Sequence, residues 1–228
     1  MVNKVIIFDL DETLGYFTEL SVFWDIIIKI NKHRIDFFDL LDLFPEILRP
    51  GIMDLLKYIK HKKLSQKCKS VIIYTNNQGP NSWSKMIAYY FNYKLKFKLF
   101  DKIIGRYDKN SCRTSKEKRY TDIKKCLNIK TPTKICFIDN LLHSGMVNEN
   151  VVYIYINSFK HTLTYKVMAE RYCTNIGTNI DKTVFFYKFN KLVKKYKKIN
   201  IENACSDIDK ESETSKKLLL CIKKFLYT

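Results

Sequence analysis

The stretch Val5-Ile6-Ile7-Phe8-Asp9-Leu10-Asp11-Glu12-Thr13-Leu14 decides how this chain reads. Four apolar residues, three of them β-branched, run without a break into a stretch holding three carboxylates. A strand buried on both faces needs such a continuous run, and it ends where the acids begin. Asp9 and Asp11 stand two residues apart, so at a strand end their side chains share a face. Two close carboxylates repel unless one is protonated or a cation lies between them. The stretch therefore predicts a central strand with a charged site at its carboxyl end.

Two later runs repeat the pattern. Val71-Ile72-Ile73-Tyr74 closes in Thr75-Asn76-Asn77-Gln78-Gly79-Pro80, and Lys134-Ile135-Cys136-Phe137-Ile138 closes in Asp139-Asn140. Residues 151–156 predict a further strand and residues 100–105 a short one. Helical spacing is read over 17–30, 37–44, 52–59, 82–91 and 115–127, the last with Ser115 as N-cap. Alternating strands and helices predict an α/β fold, a Rossmann-like three-layer sandwich with a mainly parallel sheet. Ligands of such sheets bind outside the carboxyl ends of the strands. Asp9, Asp11, Thr75 and Asp139 are therefore expected to converge. An oxygen-rich cluster of this kind suits a hard ion such as Mg²⁺.

The expected organisation is a catalytic core over residues 1–160, with a small helical insert at 16–45, and a basic helical extension over 161–228. Within that extension, 162–173 and 184–196 read as helices, 201–215 as a polar flexible segment and 216–227 as a short amphipathic helix. Trp24 and Trp83 fall in helical patterns and read as packing residues.

Charge sharpens the reading. Among 228 residues, 41 Lys and Arg face 23 Asp and Glu, a net charge of +18. Residues 1–54 carry −5, residues 55–134 carry +17 and residues 135–228 carry +6. A basic middle third suits an anionic partner, a phosphorylated substrate or nucleic acid bound through 55–134. The abundance of Lys, Asn, Ile, Tyr and Phe beside three Ala also fits A/T-rich codon usage. The hydrophobic share of 46% excludes a disordered chain. Seven cysteines without a C-x-x-C pair exclude a zinc ribbon or thioredoxin-type site. Their odd count, with no targeting peptide read at the N-terminus, predicts free thiols in a reducing compartment, cytoplasm or nucleus. No apolar run approaches the roughly 20 residues of a membrane span.

The motifs also carry a resemblance. Phe8-Asp9-Leu10-Asp11-Glu12-Thr13-Leu14 is similar to the D-x-D-x-T motif of the haloacid dehalogenase superfamily of phosphohydrolases. Ile72-Ile73-Tyr74-Thr75-Asn76 resembles its second motif, and Ile135-Cys136-Phe137-Ile138-Asp139-Asn140 its fourth. The resemblance implies Asp9 as nucleophile, Asp11 as general acid and base, and Thr75 as a phosphoryl-oxygen donor, with Asn76 beside it in the substrate site. It implies Mg²⁺ held by Asp9, the Asp11 backbone carbonyl, Asp139 and Asn140. The third motif is one lysine near the start of the helix before the fourth motif. Lys116 fits best there, with Lys118 and Lys124 as rivals.

Asp139-Asn140, D-L-D-E-T-L and Leu48-Arg49-Pro50-Gly51 resemble the branch that dephosphorylates the carboxy-terminal domain of RNA polymerase. Leu141-Leu142 departs from that branch, which continues Ser-Pro. Thr75-Asn76-Asn77-Gln78-Gly79 resembles instead the T-N-Q-x-G of polynucleotide 3′-phosphatases and histidinol phosphatases. The gaps between motifs leave no room for a large cap, so the resemblance implies an open site suited to macromolecular phosphomonoesters. A non-catalytic polyanion-binding module on the same fold is the alternative. His143 and Ser144 read as loop residues, and the run Lys191, Lys194, Lys195, Lys197 and Lys198 as a solvated helix face.

Overall fold

The computed structural model describes residues 2–31, 35–77, 79, 81–106, 111–176, 181–196 and 205–227. Gln78, Pro80, Lys197 and Lys198, and residues 108–110 and 201–204 of the expected loops, lie outside them. In chain order the elements are β1 (Asn3–Phe8), α1 (Thr18–Asn31), α2 (Phe37–Asp42), α3 (Ile52–Leu64), β2 (Ser70–Tyr74), α4 (Asn81–Leu95), β3 (Phe100–Ile104) and α5 (Tyr120–Leu127). Then follow β4 (Thr133–Asp139), β5 (Val151–Tyr155), α6 (Tyr165–Asn175), α7 (Lys182–Tyr196) and α8 (Ile208–Tyr227).

All five strands are parallel, in the order β3-β2-β1-β4-β5. With helices flanking the sheet, this is the expected α/β, Rossmann-like three-layer architecture. The stretch that opened the sequence reading lies at its centre. Phe8 pairs in register with Ile73 on one side and Ile138 on the other. Ile6, Ile7 and Phe8 are fully buried, as a strand covered on both faces requires. Residues alternating along the strands separate the two faces. Val5, Ile7, Ile72, Tyr74, Ile135 and Phe137 share one cluster with Ile123 and Cys126 of α5.

The chain forms two compact units. The sheet unit comprises 1–15, 49–159 and 207–228; the helical unit comprises 16–48 and 160–206. This grouping differs from the expected one. Residues 161–228 are not one extension: their first part joins the insert, and α8 joins the sheet unit. Trp83 is buried in the sheet unit, and in the helical unit Trp24 meets Phe37 edge-on at 5.3 Å.

Helix α8 also begins earlier than its apolar periodicity predicts. Its first turns carry Glu211 and Ser215, polar yet buried. Glu211 pairs with the buried Arg49, and Ser215 Oγ donates to the Pro50 carbonyl at 2.5 Å. Polar side chains facing inward towards specific partners are invisible to a hydrophobic pattern. Gly51 meets the same helix: its φ is +76°, and a Cβ there would stand 3.0 Å from Ser215 Cβ.

The cysteines correct another expectation. Cys112 and Cys126 are joined by a disulfide, with Cα atoms 5.2 Å apart, while Cys68, Cys136, Cys173, Cys205 and Cys221 are free. Counting thiols cannot reveal that α5 seats Cys126 opposite the segment holding Cys112. No helix among the described residues is long and apolar enough to cross a membrane.

Candidate active site

The carboxyl ends of β1, β2 and β4 meet, and a single lysine lies between two of them. Lys118 Nζ donates to Asp9 Oδ1 at 2.5 Å and to Asp139 Oδ2 at 2.6 Å. All three side chains are buried, Lys118 to 2% exposure. Buried charges persist only when paired and hydrogen-bonded, and here one ammonium serves two carboxylates.

Asp11 stands beside this group, half-buried, with Oδ2 accepting from Asn77 Nδ2 at 2.7 Å. Thr75 is buried at the end of β2, and its Oγ1 accepts from the Asn77 N–H at 3.0 Å. Asn77 thus ties the turn after β2 to the turn after β1. Burial raises the Asp9 carboxyl to about 6, with Asp139 and Asp11 adding to the rise and Lys118 opposing it. Burial likewise raises Asp11, against the pull of Asn77 and Lys118. For Asp139, burial pushes upward, but neighbouring His143, Lys118 and the Leu141 N–H together hold the carboxyl below its ordinary value. His143 Nε2 stands 3.5 Å from Asp139 Oδ2.

Among the lysines, the structure brings Lys118 to the strand ends and leaves Lys116 and Lys124 exposed. The physical reason is local. Helix α5 starts at Tyr120, not at Ser115, because Ser115 Oγ accepts from the Glu117 N–H at 3.1 Å in a short turn. Residues 111–119 therefore form a loop over the strand ends rather than a first helical turn. Close packing fixes that loop: a Cβ on Gly145 would meet Lys118 O at 2.9 Å and Arg119 Cγ at 2.6 Å. Ser144 supports it by donating from Oγ to Glu117 Oε1 at 2.9 Å.

Asn140, expected among the metal oxygens, is buried beside Asp139 and also bonds to the turn after β1. Its Oδ1 accepts from Thr13 Oγ1 at 3.2 Å, and its Nδ2 donates to Ser158 Oγ at 3.0 Å and Glu12 Oε2 at 3.3 Å. Those bonds hold the turn after β1. Arg49 holds the same turn from below, donating to the Thr13 carbonyl at 2.7 Å and the Glu12 carbonyl at 2.5 Å. Its work there accounts for the Leu48-Arg49-Pro50-Gly51 segment. Asn77, Arg113 and Tyr74 were not singled out as site residues by the sequence. Of these, Tyr74 precedes Thr75 in the second motif and Asn77 lies just past its end, the one signal that points to them.

Two carboxylates two residues apart, a strand-end hydroxyl and a lysine bridging Asp9 to Asp139 thus stand together at the strand ends. Residues 4–176 match the model of NIF, the NLI interacting factor-like phosphatases. The chain belongs to this family, a branch akin to the phosphatases of the polymerase carboxy-terminal domain, and is a phosphoric monoester hydrolase. No curated protein and no solved structure matches the chain.

Phosphatases of this class generally use Mg²⁺. Among the described residues no three His, Cys, Asp or Glu side chains are gathered as a metal cluster. That is compatible with Mg²⁺, which is commonly bound by one or two carboxylates, several waters and the substrate phosphate. The donor chemistry fits as well. Asp9 and Asp139 share one ammonium and Asp11 has a neutral amide partner, so carboxylates outnumber the cation and hard oxygen donors are at hand.

Proposed function

We propose that the chain is a Mg²⁺-dependent phosphatase that removes phosphate from a phosphorylated protein through an aspartyl-phosphate on Asp9. The observation that carries this reading is Lys118 Nζ bridging Asp9 and Asp139. In the first step the Asp9 carboxylate attacks phosphorus in line, and the bond from phosphorus to the leaving oxygen breaks. Asp11 gives its proton to that oxygen, a task helped by the burial that raises its pKa. In the second step Asp11 takes a proton from the attacking water, which releases inorganic phosphate and restores Asp9.

Thr75 Oγ1 already accepts the Asn77 N–H, so its own hydrogen is available for a phosphoryl oxygen. Lys118 offsets the charge that gathers on Asp9 and the phosphoryl group. When bound, Mg²⁺ supplies further charge neutralisation, and Asp9, the Asp11 backbone carbonyl, Asp139 and Asn140 are the groups that would hold it.

A polypeptide substrate is favoured by the rim. Leu141 and Leu142 follow Asn140 directly and are 58% and 76% exposed. Apolar side chains at the mouth suit peptide residues beside a phosphoserine better than a nucleic-acid backbone. Part of the basic middle segment also lies away from the mouth. Lys60 donates to the Leu95 carbonyl at 2.8 Å and Lys63 to the Leu99 carbonyl at 2.8 Å, at the amino end of β3.

The test is phosphate release, with Mg²⁺, from a phosphoserine peptide, a 3′-phosphorylated oligonucleotide and small sugar phosphates. Fastest turnover of the peptide is expected. Preference for the oligonucleotide would move the chain to the polynucleotide 3′-phosphatase reading. Salt-sensitive RNA binding without hydrolysis of anything would replace the enzyme with a binding module.

A further inference from the structure

Arg113 is buried to 2% exposure and lies over the Tyr74 ring, with Cζ 4.7 Å from its centre. Its guanidinium reaches three separate segments. Nη1 donates to Asn76 Oδ1 at 2.7 Å, the Gly105 carbonyl at 2.9 Å and the Thr75 carbonyl at 3.3 Å. Nη2 donates to the Lys116 carbonyl at 2.8 Å. One planar cation thus joins the carboxyl ends of β2 and β3 to the loop that carries Lys118.

Tyr74 completes the hold. The Arg119 N–H donates to Tyr74 Oη at 3.2 Å, so the Lys118 loop is gripped two residues before and one residue after the lysine. Asp122 anchors the start of the loop: its Oδ1 accepts from Thr114 N at 2.9 Å and Thr114 Oγ1 at 2.7 Å. A buried arginine with such fork geometry is costly to replace, since lysine is a point charge on a flexible stem. A structural staple would serve any part of the fold, whereas these bonds, the one to Gly105 apart, end on Thr75, Asn76 and the flanks of Lys118.

We propose that Arg113 is a positioning residue, which sets the Thr75 hydroxyl and the Lys118 ammonium at their distances from Asp9. The proposal rests on the phosphatase reading for its effect on rate, but its structural content stands separately. A displacement of about 1 Å in such groups costs on the order of 100-fold in rate.

The experiment uses the full chain with Mg²⁺ and p-nitrophenyl phosphate, comparing wild type with Arg113→Lys and Arg113→Ala, and adds amide hydrogen exchange at Asn77 and Arg119. Arg113→Lys is expected to stay folded at the assay temperature while melting below wild type, to lose about 100-fold in kcat with KM moved less than about 3-fold, and to exchange faster at both amides. Free guanidinium at concentrations too low to unfold the chain is expected to restore part of the kcat of Arg113→Ala and to leave wild type unaffected. Wild-type kcat in Arg113→Lys, or unchanged exchange at Asn77 and Arg119 in both variants, would overturn the proposal. If wild type released no phosphate while the two amides lost protection, the phosphatase reading would fail and the positioning role would stand.

Discussion

The two units treat buried charge in opposite ways. In the sheet unit the buried ions are held by partners: Asp9 and Asp139 share Lys118, Glu211 meets Arg49, and Arg113 and Asp122 are held by neutral partners, carbonyl oxygens and Thr114. In the helical unit the core is aromatic. Phe23 meets Phe44, Tyr172 and Phe189 edge-on at 5.6–6.2 Å, and Phe185 stacks on Tyr172 and Phe189 at 5.6 Å. Within that unit Glu19 is 2% exposed, and its Oε1 has no hydrogen-bond partner. Burial raises Glu19 to about 7. The contrast separates a charged group kept ready by its partners from one tolerated because it can take up a proton.

Removing the proposed nucleophile tests the contrast most severely. Asp9→Asn is expected to lower turnover of p-nitrophenyl phosphate by at least about 10⁴-fold with the fold intact, as a stopped phosphate-release assay would show. Turnover near wild type would end the assignment of Asp9.

Taking away the shared cation comes next. Lys118→Met leaves the sheet unit with the kind of uncompensated carboxylate found in the helical unit. A fall of about 10²–10³-fold in kcat is expected, while Lys116→Ala stays within about twofold. Equal effects from the two variants would show that the bridge between Asp9 and Asp139 has no special role.

The loop holding Lys118 lies inside the ring closed by Cys112 and Cys126, which are 14 residues apart. Closing a ring of about that length stabilises by about 3 kcal/mol. Dithiothreitol is therefore expected to lower the urea midpoint by a matching amount, and Cys126→Ser to abolish that sensitivity. A midpoint indifferent to reductant would mean the cross-link contributes nothing.

The smallest effect belongs to Glu19. Its carboxyl is held at about 7 in the fold, against an ordinary 4.5. Below 4.5 both states hold the proton and nothing is lost. Between the two values the unfolded chain gives it up first, so stability falls as pH rises, and above 7 the full cost is present. Glu19→Gln is thus expected to gain about 1–2 kcal/mol over wild type at pH 8 and little at pH 4.5, as urea melts at the two pH values would show. An equal gain at both would mean the carboxyl is not the source.

How much of this could be read beforehand depends on range. Asp9 and Asp11 were legible because strand, turn and acids follow one another within a few residues. Thr75 and Asp139 were legible because each closes a run like that of β1. Lys118 was not separable from Lys116, since both sit in a lysine-rich segment whose path is set by Ser115, Gly145 and Arg113. Asn140 matched the fourth motif by type, yet its bonds to Thr13, Glu12 and Ser158 come from segments the motif does not contain.

By itself the sequence determined the parallel sheet, the convergence of three strand ends and the acidic character of what gathers there. Periodicity and strand-end chemistry are properties of neighbouring residues, so a linear string holds them. Tertiary structure alone decided which lysine faces Asp9, which cysteines join, that α8 returns to the sheet unit, and that Arg113 spans the loops. Those outcomes depend on distances between residues tens of positions apart, and such distances exist only once the chain has packed.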